Sequence, residues 1–328
     1  MTAIQLHRFH GGLHLADNKA QSTTRPITAA PLPKRLFVPV LQHAGPAAEP
    51  CVQVGDYVYK GQPIAQSTAA LSVPVHAPSS GTIRAITSMP YPHPSGEPCL
   101  GIEIETDGKK QWLDSISGHD YQQLENTEIL RLIEQAGIAG MGGAGFPTIT
   151  KLKGHKKIRH LIINGSECEP YITADDMLMR ERAERVMNGI DIMAQLVCPE
   201  QVLIAIEDNK PEAIASMQSA LAGRDYQIIS IPTLYPSGGE RQLIKILTGQ
   251  EVPSGGLPID LGIICQNCAT AAAISDAIVH GRPLISRIVT LTGAALSTPM
   301  NIECLIGTPI SDVLELAGIQ DSELQQLI

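Results

Sequence analysis

The chain has 328 residues, of which 43% are hydrophobic, 17% charged and 3% aromatic, so it is long enough for two or three domains with real cores. Its formal net charge of −9 argues against a nucleic-acid backbone as the main partner. No apolar run approaches the roughly 18 residues of a membrane span, and the N-terminus lacks the apolar region of a signal peptide. We therefore expect a soluble chain with no direct membrane span.

The N-terminal third predicts an arm and then an all-β domain. Residues 1–35 have no regular pattern and predict an irregular arm. Residues 36–107 consist of short apolar runs punctuated by glycine and proline, which predicts strands. The phrases that begin at Val54 and Val73 resemble those of the barrel-sandwich hybrid in biotinyl and lipoyl carrier domains. Carriers present a modified lysine where this chain has Ala70, so the domain is expected to serve as a docking or structural module.

Two isolated histidines of this domain, His76 and His93, lie in proline-rich loops and are not expected to be ligands. Among the seven cysteines, only Cys265 and Cys268 have a metal-like spacing. A single C-x-x-C pair without histidines is half a zinc site, so no metal is expected. An odd number of scattered cysteines favours a reducing, cytoplasmic setting.

The central region predicts a Rossmann-like α/β domain. Residues 108–127 are polar and predict a linker, and helical and strand patterns then alternate over residues 128–285. Continuous apolar strands between helices are typical of a mostly parallel sheet covered on both faces. The predicted strands are 160–164, 201–207, 227–231 and 261–265, and the predicted helices are 128–136, a short one from Pro147, 175–196, 211–221, 241–247 and 267–280. Residues 286–328 predict a hairpin and a helix and resemble part of a soluble-ligand-binding β-grasp module.

A glycine-rich stretch, Gly137–Lys151, combines several glycines with Pro147 and Lys151. Glycine lets a ligand approach the backbone closely, and free amides near a helix N-terminus and a lysine describe a phosphate cradle. The stretch follows a predicted helix rather than a strand, which disfavours an ordinary dinucleotide-binding turn. The alternative is a glycine-rich hinge with no ligand.

Three loops with unusual polar groups follow predicted strands. Ligands of open α/β sheets lie outside the carboxyl ends of the strands, so these loops are expected to meet the glycine-rich stretch at one edge. Taken singly, an acidic turn is as readily a solvated loop, and Asn267 is as readily a helix N-cap. The loops are Asn164-Gly-Ser-Glu167-Cys-Glu169, Tyr235-Pro-Ser-Gly238-Gly239-Glu240 and Gln266-Asn267-Cys-Ala-Thr270.

Together these motifs resemble the flavin-bearing, NADH-oxidising subunit of respiratory complex I, and more closely the C subunits of Rnf ion-translocating ferredoxin:NAD⁺ oxidoreductases. That family also opens with a Gly-Gly-x-His phrase, here Gly11-Gly12-Leu-His14, before a barrel-sandwich domain. The resemblance implies hydride exchange between NAD(H) and FMN by positioning, with no acid or base catalyst and no metal ligand. It implies a peripheral place on the cytoplasmic face of the bacterial inner membrane, among the other subunits of an electron-transport complex.

The resemblance also implies ligands for each motif. The NADH-facing residues are expected to be Phe146, Glu169 and Glu240. The FMN-binding residues are expected to be Gly140, Gly142, Gly143, Gly145, Lys151, Asn164, Glu167, Tyr235, Gly238, Gly239, Asn267 and Thr270.

The chain departs from the family pattern at its C-terminal end. Family members continue into a domain with two four-iron clusters, and we expect no such cluster within this chain, because the required cysteines are absent. This suggests a truncated or naturally shortened form, with electrons passing to or from clusters elsewhere. Cys268 also stands where the resemblance leads us to expect a small apolar residue. The competing hypothesis is a flavin-free docking or assembly subunit that keeps the fold without the chemistry.

Overall fold

A computed structural model describes residues 5–91, 97–153 and 157–319. The β-rich N-terminal region forms two small sheets, ordered β2-β8-β7-β4 and β3-β5-β6, around a core that includes Leu36, Ile83 and Ile104. Alternation decides which face is buried, since Leu36 and Val38 point inward while Phe37 between them is exposed. His93 lies outside the described residues. The strands are β1 (Thr28–Ala29), β2 (Arg35–Pro39), β3 (Glu49–Pro50), β4 (Tyr57–Val58), β5 (Pro63–Gln66), β6 (Val75–His76), β7 (Gly81–Met89) and β8 (Cys99–Thr106).

The central region forms a four-stranded parallel sheet in the order β11-β10-β9-β12. Helices α1, α4, α5 and α7 cover one face and α6 covers the other, which confirms the predicted parallel sheet with both faces covered. The elements are α1 (Asn126–Gln135), α2 (Thr148–Leu152), β9 (His160–Gly165), α3 (Ala174–Glu181), α4 (Ala183–Val197), β10 (Gln201–Glu207), α5 (Pro211–Ala220), β11 (Tyr226–Ile231), α6 (Glu240–Thr248), β12 (Ile263–Asn267) and α7 (Cys268–Val279).

The long helix predicted over residues 175–196 is wrong in one respect, because it is interrupted at Arg182. This residue has φ −135° and ψ 37°, outside the helical region, and separates α3 from α4. Its side chain instead pairs with Glu303 at 2.8 Å. Apolar periodicity continues across the break, so the sequence pattern alone could not reveal it.

The C-terminal region forms a hairpin of β13 (Ser286–Leu291) and β14 (Met300–Leu305), followed by α8 (Ile310–Leu316). Strand β1 of the N-terminal arm pairs with β14 in parallel, giving a three-stranded sheet in the order β1-β14-β13. Asn301 strengthens this junction by donating to Ser22 O at 2.9 Å and Thr173 Oγ1 at 2.8 Å. The N-terminal arm is therefore held against the C-terminal hairpin.

The β-rich domain packs against the base of the glycine-rich stretch. Ala44 N donates to Gly145 O at 2.7 Å, and the buried His76 ring bonds the carbonyl of Gln135 at the end of α1. Gly137 has φ +69°, and a Cβ there would lie 2.3 Å from Pro74 O, so no larger residue fits. Throughout the described ranges, no helix combines the length and apolar character that crossing a membrane requires.

Candidate functional site

The candidate site lies where β9 and β12 end. These neighbouring strands pair in register so that Asn164 lies beside Asn267. The loop after β9, residues 166–172, is called the acidic loop here. The segment before α6 and the start of α7 border the same edge, as expected from the carboxyl ends of parallel strands.

The glycine loop, residues 140–146, closes over the start of α7. Gly140 N donates to Phe146 O at 2.8 Å, which joins the two ends of the loop, and Met141 N donates to Thr270 Oγ1 at 3.0 Å. A Cβ on Gly142 would lie 3.2 Å from the Asn267 side chain, so glycine permits this close approach. Thr270 and Asn267 therefore contact the glycine loop directly, at the edge where the sequence analysis expects these residues to lie together.

The glycine loop presents backbone amides of a kind that suits an anionic ligand. In the part of the chain that the structure describes, no acceptor takes a hydrogen bond from the amides of Gly142, Gly143 or Ala144. Gly143 has φ +98°, and a Cβ built on it would meet nothing within 4 Å. Free amides beside open space, next to the N-terminus of the twelve-residue α7, form a donor set suited to a phosphate.

Asn267 is the N-cap of α7, which is one of the two roles that the sequence allows, the other being a ligand contact. Its Oδ1 accepts from Ala269 N at 2.8 Å and Thr270 N at 3.3 Å. Its Nδ2 donates to Asp175 Oδ2 at 2.6 Å, and burial raises the pKa of that carboxyl. The amide is therefore oriented by protein groups at both ends.

Lys151 and Glu240, assigned to different ligands by resemblance, form an ion pair. Lys151 Nζ lies 2.7 Å from Glu240 Oε1 and donates to Cys265 O at 3.1 Å. Lys151 lies on α2 and Glu240 is the first residue of α6, so the pair joins these two helices beside Cys265 of β12. Both side chains remain about one third exposed, at 30% and 37%, and a ligand phosphate could compete for the ammonium.

Asn164 links the acidic loop to the segment before α6. Its Nδ2 donates to Gly238 O at 2.8 Å, and its Oδ1 accepts from Ser166 N at 3.1 Å. Gly238 is close-packed, since a Cβ would lie 3.0 Å from Cys168 Sγ. Gly239 immediately precedes α6 and takes the N-cap position.

Glu167 turns inward from the acidic loop. It has φ +44°, and its carboxylate accepts from Asp175 N at 2.8 Å and Asp176 N at 3.2 Å at the start of α3. Burial and the neighbouring Asp175 raise the pKa of Glu167, while Lys19 and the hydrogen bond from Asp175 N oppose this shift. The residue is thus held by a helix N-terminus rather than free in a cleft.

Glu169 and Phe146, both assigned to NADH, face outward to different degrees. Glu169 is exposed, and Phe146 is half-buried. The carboxylate of Glu169 interacts with the Tyr235 hydroxyl, and this negative charge raises the pKa of the phenol. The structure therefore gathers Glu169 and Tyr235, while Glu167 points to another side of the same loop.

Sequence reasoning missed two buried lysines. Lys210 and Glu207 have fully buried side chains and pair at 2.6 Å, and Lys210 Nζ also donates to Ser166 O at 2.8 Å. Lys19 of the arm donates to three carbonyls of the acidic loop. The available signals were a Glu-x-x-Lys spacing at the end of a strand and a lysine shortly after the Gly-Gly-x-His phrase.

No metal site accompanies these residues in the ranges that the structure describes, where no group of three or more His, Cys, Asp or Glu side chains is arranged to hold a metal ion. Cys265 and Cys268 are both buried and unpaired with one another. Burial raises the pKa of the Cys265 thiol to about 12, which keeps it protonated.

Comparison with known proteins defines the class of this fold. Residues 133–276 match the family model of the Nuo51 FMN-binding domain, and residues 7–109 match that of the RnfC barrel sandwich hybrid domain. The fold is similar to that of a solved NAD⁺-reducing NiFe hydrogenase, with a TM-score of 0.52 and 22% identity over 60% of this chain and 39% of the other. The chain therefore combines an N-terminal barrel-sandwich domain with an α/β domain of the complex I FMN-binding type.

Curated relatives narrow this class to one family, the C subunits of ion-translocating oxidoreductase complexes. The chain is 54% identical to the family member of Pseudomonas aeruginosa over 98% of its own length, and 49% and 50% identical to those of Vibrio cholerae and Serratia proteamaculans over 99% and 98%. It belongs to this family, also known as the C subunits of Rnf complexes. It spans 42%, 42% and 46% of the lengths of these relatives.

Proposed function

We propose that this chain is the NADH- and flavin-binding part of an Rnf-type electron-transfer subunit, an oxidoreductase that exchanges a hydride between NAD(H) and a bound FMN. The observation that carries the proposal is the convergence of free glycine-loop amides, Lys151 and Asn164 at the carboxyl edge of one parallel sheet. Membership of the family and the match to an FMN-binding domain support it further.

The FMN phosphate would be bound by the glycine-loop amides and by Lys151. When bound, FMN supplies the chemistry that links two-electron transfer from a nicotinamide to one-electron carriers. The chain's own task is to orient and shield the reactants, so no side chain needs to donate or accept a proton. The remaining FMN contacts would come from Asn164, Tyr235, Gly238, Gly239, Asn267 and Thr270. Glu167, which the resemblance also assigns to FMN, would act indirectly by holding the acidic loop against the start of α3.

NADH would be bound on the outward side of the same site. Phe146 offers a half-buried ring for stacking, and the exposed Glu169 offers a carboxylate for hydroxyl groups. Glu240 is paired with Lys151, so we propose that it becomes free to contact NADH when the ammonium turns to the FMN phosphate.

The partners follow from the family. We propose that the chain works with other subunits of a membrane-bound complex, peripherally on the cytoplasmic face of the bacterial inner membrane. Electrons would pass to or from four-iron clusters outside residues 1–328. The sheet β1-β14-β13 with α8 would be a partial β-grasp module, and the domain boundaries would fall at 35, 107, 127 and 285.

The test is the visible spectrum of purified protein after addition of FMN and desalting, followed by NADH without oxygen. We expect the parent chain to retain FMN after desalting and the bound flavin to bleach when NADH is added. We expect Lys151→Ala to lose the flavin during desalting. Lys153→Ala is the matched control, because Lys153 lies one residue past the same helix and pairs with the exposed Glu134. No retention by any variant would favour a flavin-free docking subunit, and retained flavin that does not bleach would remove only the NADH site.

A further inference from the structure

The carbonyls of the acidic loop converge on two buried ammonium groups. Lys210 Nζ approaches from the sheet side and binds Ser166 O at 2.8 Å alongside Glu207 and Asn209. Lys19 Nζ approaches from the arm and donates to Glu167 O and Glu169 O, each at 2.9 Å, and to Ile172 O. The loop is therefore shaped by cations that are remote in sequence.

Lys19 is buried for a lysine, with 6% of its surface exposed. Burial lowers the pKa of its ammonium, and the nearby Glu167 carboxylate raises it again. Three carbonyl acceptors match the three N–H donors of an ammonium group, so the buried charge is fully hydrogen-bonded. An apolar side chain of similar length has no ammonium group, so it would leave these three carbonyls without a hydrogen-bond donor.

The arm around Lys19 is fixed on both sides. Leu13 and Tyr235 exchange backbone hydrogen bonds at 2.8 and 2.9 Å, and Tyr171 N donates to Asp17 O at 2.7 Å. After Lys19, Ser22 Oγ lies 2.9 Å from Thr173 Oγ1. The arm thus runs along the outer side of the acidic loop and delivers Lys19 in one position.

The two acidic residues of this loop depend on Lys19 to different degrees. The Glu167 side chain is anchored independently by the amides of Asp175 and Asp176. The exposed Glu169 side chain contacts only the Tyr235 hydroxyl, and its carbonyl accepts its hydrogen bond from Lys19 within the described residues. Removing Lys19 should therefore displace Glu169 more than Glu167.

We propose that Lys19 of the N-terminal arm is a positioning residue of the nucleotide site, which holds the acidic loop so that Glu169 faces NADH. The inference deepens the proposed function and rests on it for its kinetic consequence. In this proposal the N-terminal arm contributes directly to the nucleotide site, in addition to pairing with β14.

The kinetic test compares Lys19→Met with Lys34→Met, since Lys34 is an exposed lysine in the same arm. The assay uses FMN-loaded protein with excess ferricyanide as the electron acceptor. For Lys19→Met, we expect the KM for NADH to rise about tenfold or more, as the loss of charged hydrogen bonds implies, with a smaller change in kcat and in the FMN Kd. Lys34→Met should match the parent chain. Equal falls in kcat and in FMN affinity without a rise in KM would overturn the proposal.

A second measurement needs neither flavin nor NADH. Hydrogen exchange of the apo chain should be faster in Lys19→Met over residues 166–173, while the core strands β9 and β10 keep their protection. Unchanged exchange in this loop would overturn the positioning role. If the parent chain fails to oxidise NADH, the proposed function fails, and the exchange result still decides whether Lys19 shapes the loop.

Lys19→Arg and Lys19→Gln serve if Lys19→Met does not fold. Arginine keeps the charge and several N–H donors, whereas glutamine keeps two donors and no charge. We expect exchange of the acidic loop and the KM for NADH to increase in the order parent, Lys19→Arg, Lys19→Gln. The reverse order would contradict the role of the ammonium.

Discussion

Lys151 and Glu240 form an ion pair beside Cys265 of β12, with Nζ and Oε1 2.7 Å apart. Lys151 follows the glycine loop on α2, and Glu240 begins α6, so the pair joins two segments that the sequence had assigned to different ligands. Because roughly a third of each side chain is exposed, water screens the attraction, and the pair is expected to contribute less than about 1 kcal/mol to stability. We therefore expect this pair to affect ligand binding more than stability.

We predict that Glu240→Gln leaves the free energy of unfolding within about 1 kcal/mol of the parent. The same change frees the Lys151 ammonium, so FMN should bind a few-fold more tightly while NADH bleaches the flavin less readily. Fluorescence titration with FMN and urea unfolding measure the two effects. Glu134→Gln, which breaks the similar pair with Lys153, is the control and should alter neither ligand. Weaker FMN binding in Glu240→Gln would contradict the competition between Glu240 and the phosphate.

Gly143→Ala is expected to weaken FMN binding about tenfold or more, or about 1.4 kcal/mol. Gly143 has φ +98° with open space where a Cβ would lie, so the methyl group would project towards a ligand held by the loop amides. Backbone strain should also cost about 1–2 kcal/mol of stability. FMN titration measures the loss of affinity, and urea unfolding measures the loss of stability.

Gly223→Ala is the matched control for this change. Gly223 has φ +85°, also with nothing within 4 Å, but lies in the turn between α5 and β11. It should lose similar stability and no FMN affinity. An equal loss of affinity in both variants would mean that the glycine loop does not contact FMN.

Lys210→Met should be strongly destabilising, by about 3–5 kcal/mol, because it leaves Glu207 charged and buried without its partner. Both side chains of this pair are 0% exposed, and Ser237 Oγ also donates to Glu207 Oε1 at 2.9 Å. Urea unfolding of Lys210→Met and of the double variant Glu207→Gln/Lys210→Met tests this. The double variant should recover much of the loss. Lys157→Met, which breaks the exposed pair with Glu200, should change stability by less than about 1 kcal/mol.

The sequence predicted the elements whose signals are local. Apolar strands such as 201–207 stand out between helices, and glycines and prolines mark the loops that border the site. The break at Arg182 and the path of the arm could not be predicted, because both depend on contacts with residues more than 100 positions away. Lys19 looks like a solvated lysine until the acidic loop folds around it. The pairing of Lys151 with Glu240 was likewise hidden, since nothing local relates α2 to α6.

Acid should weaken the contact between the β-rich domain and α1 through His76. Burial lowers the pKa of His76 to about 4 in the folded chain, although its bond to the Gln135 carbonyl opposes this shift. Between the unfolded value of about 6.5 and this folded value, the unfolded chain binds more protons, so stability falls as pH decreases. The contribution of His76 to the free energy of unfolding is complete above about pH 7.5, and about 2 kcal/mol of it should be lost between about pH 7.5 and about pH 5.

Urea unfolding at these two pH values measures the loss. His76→Gln removes the titrating group. The free energies of unfolding at the two pH values should then differ by about 2 kcal/mol less than in the parent chain. Loss of the bond to Gln135 would lower the stability of the variant at both pH values and would not change this difference. His10→Gln, a change at an exposed histidine, is the control and should show the same pH dependence as the parent. An unchanged difference in His76→Gln would assign the acid sensitivity to other groups, because the neutral amide has no proton to gain.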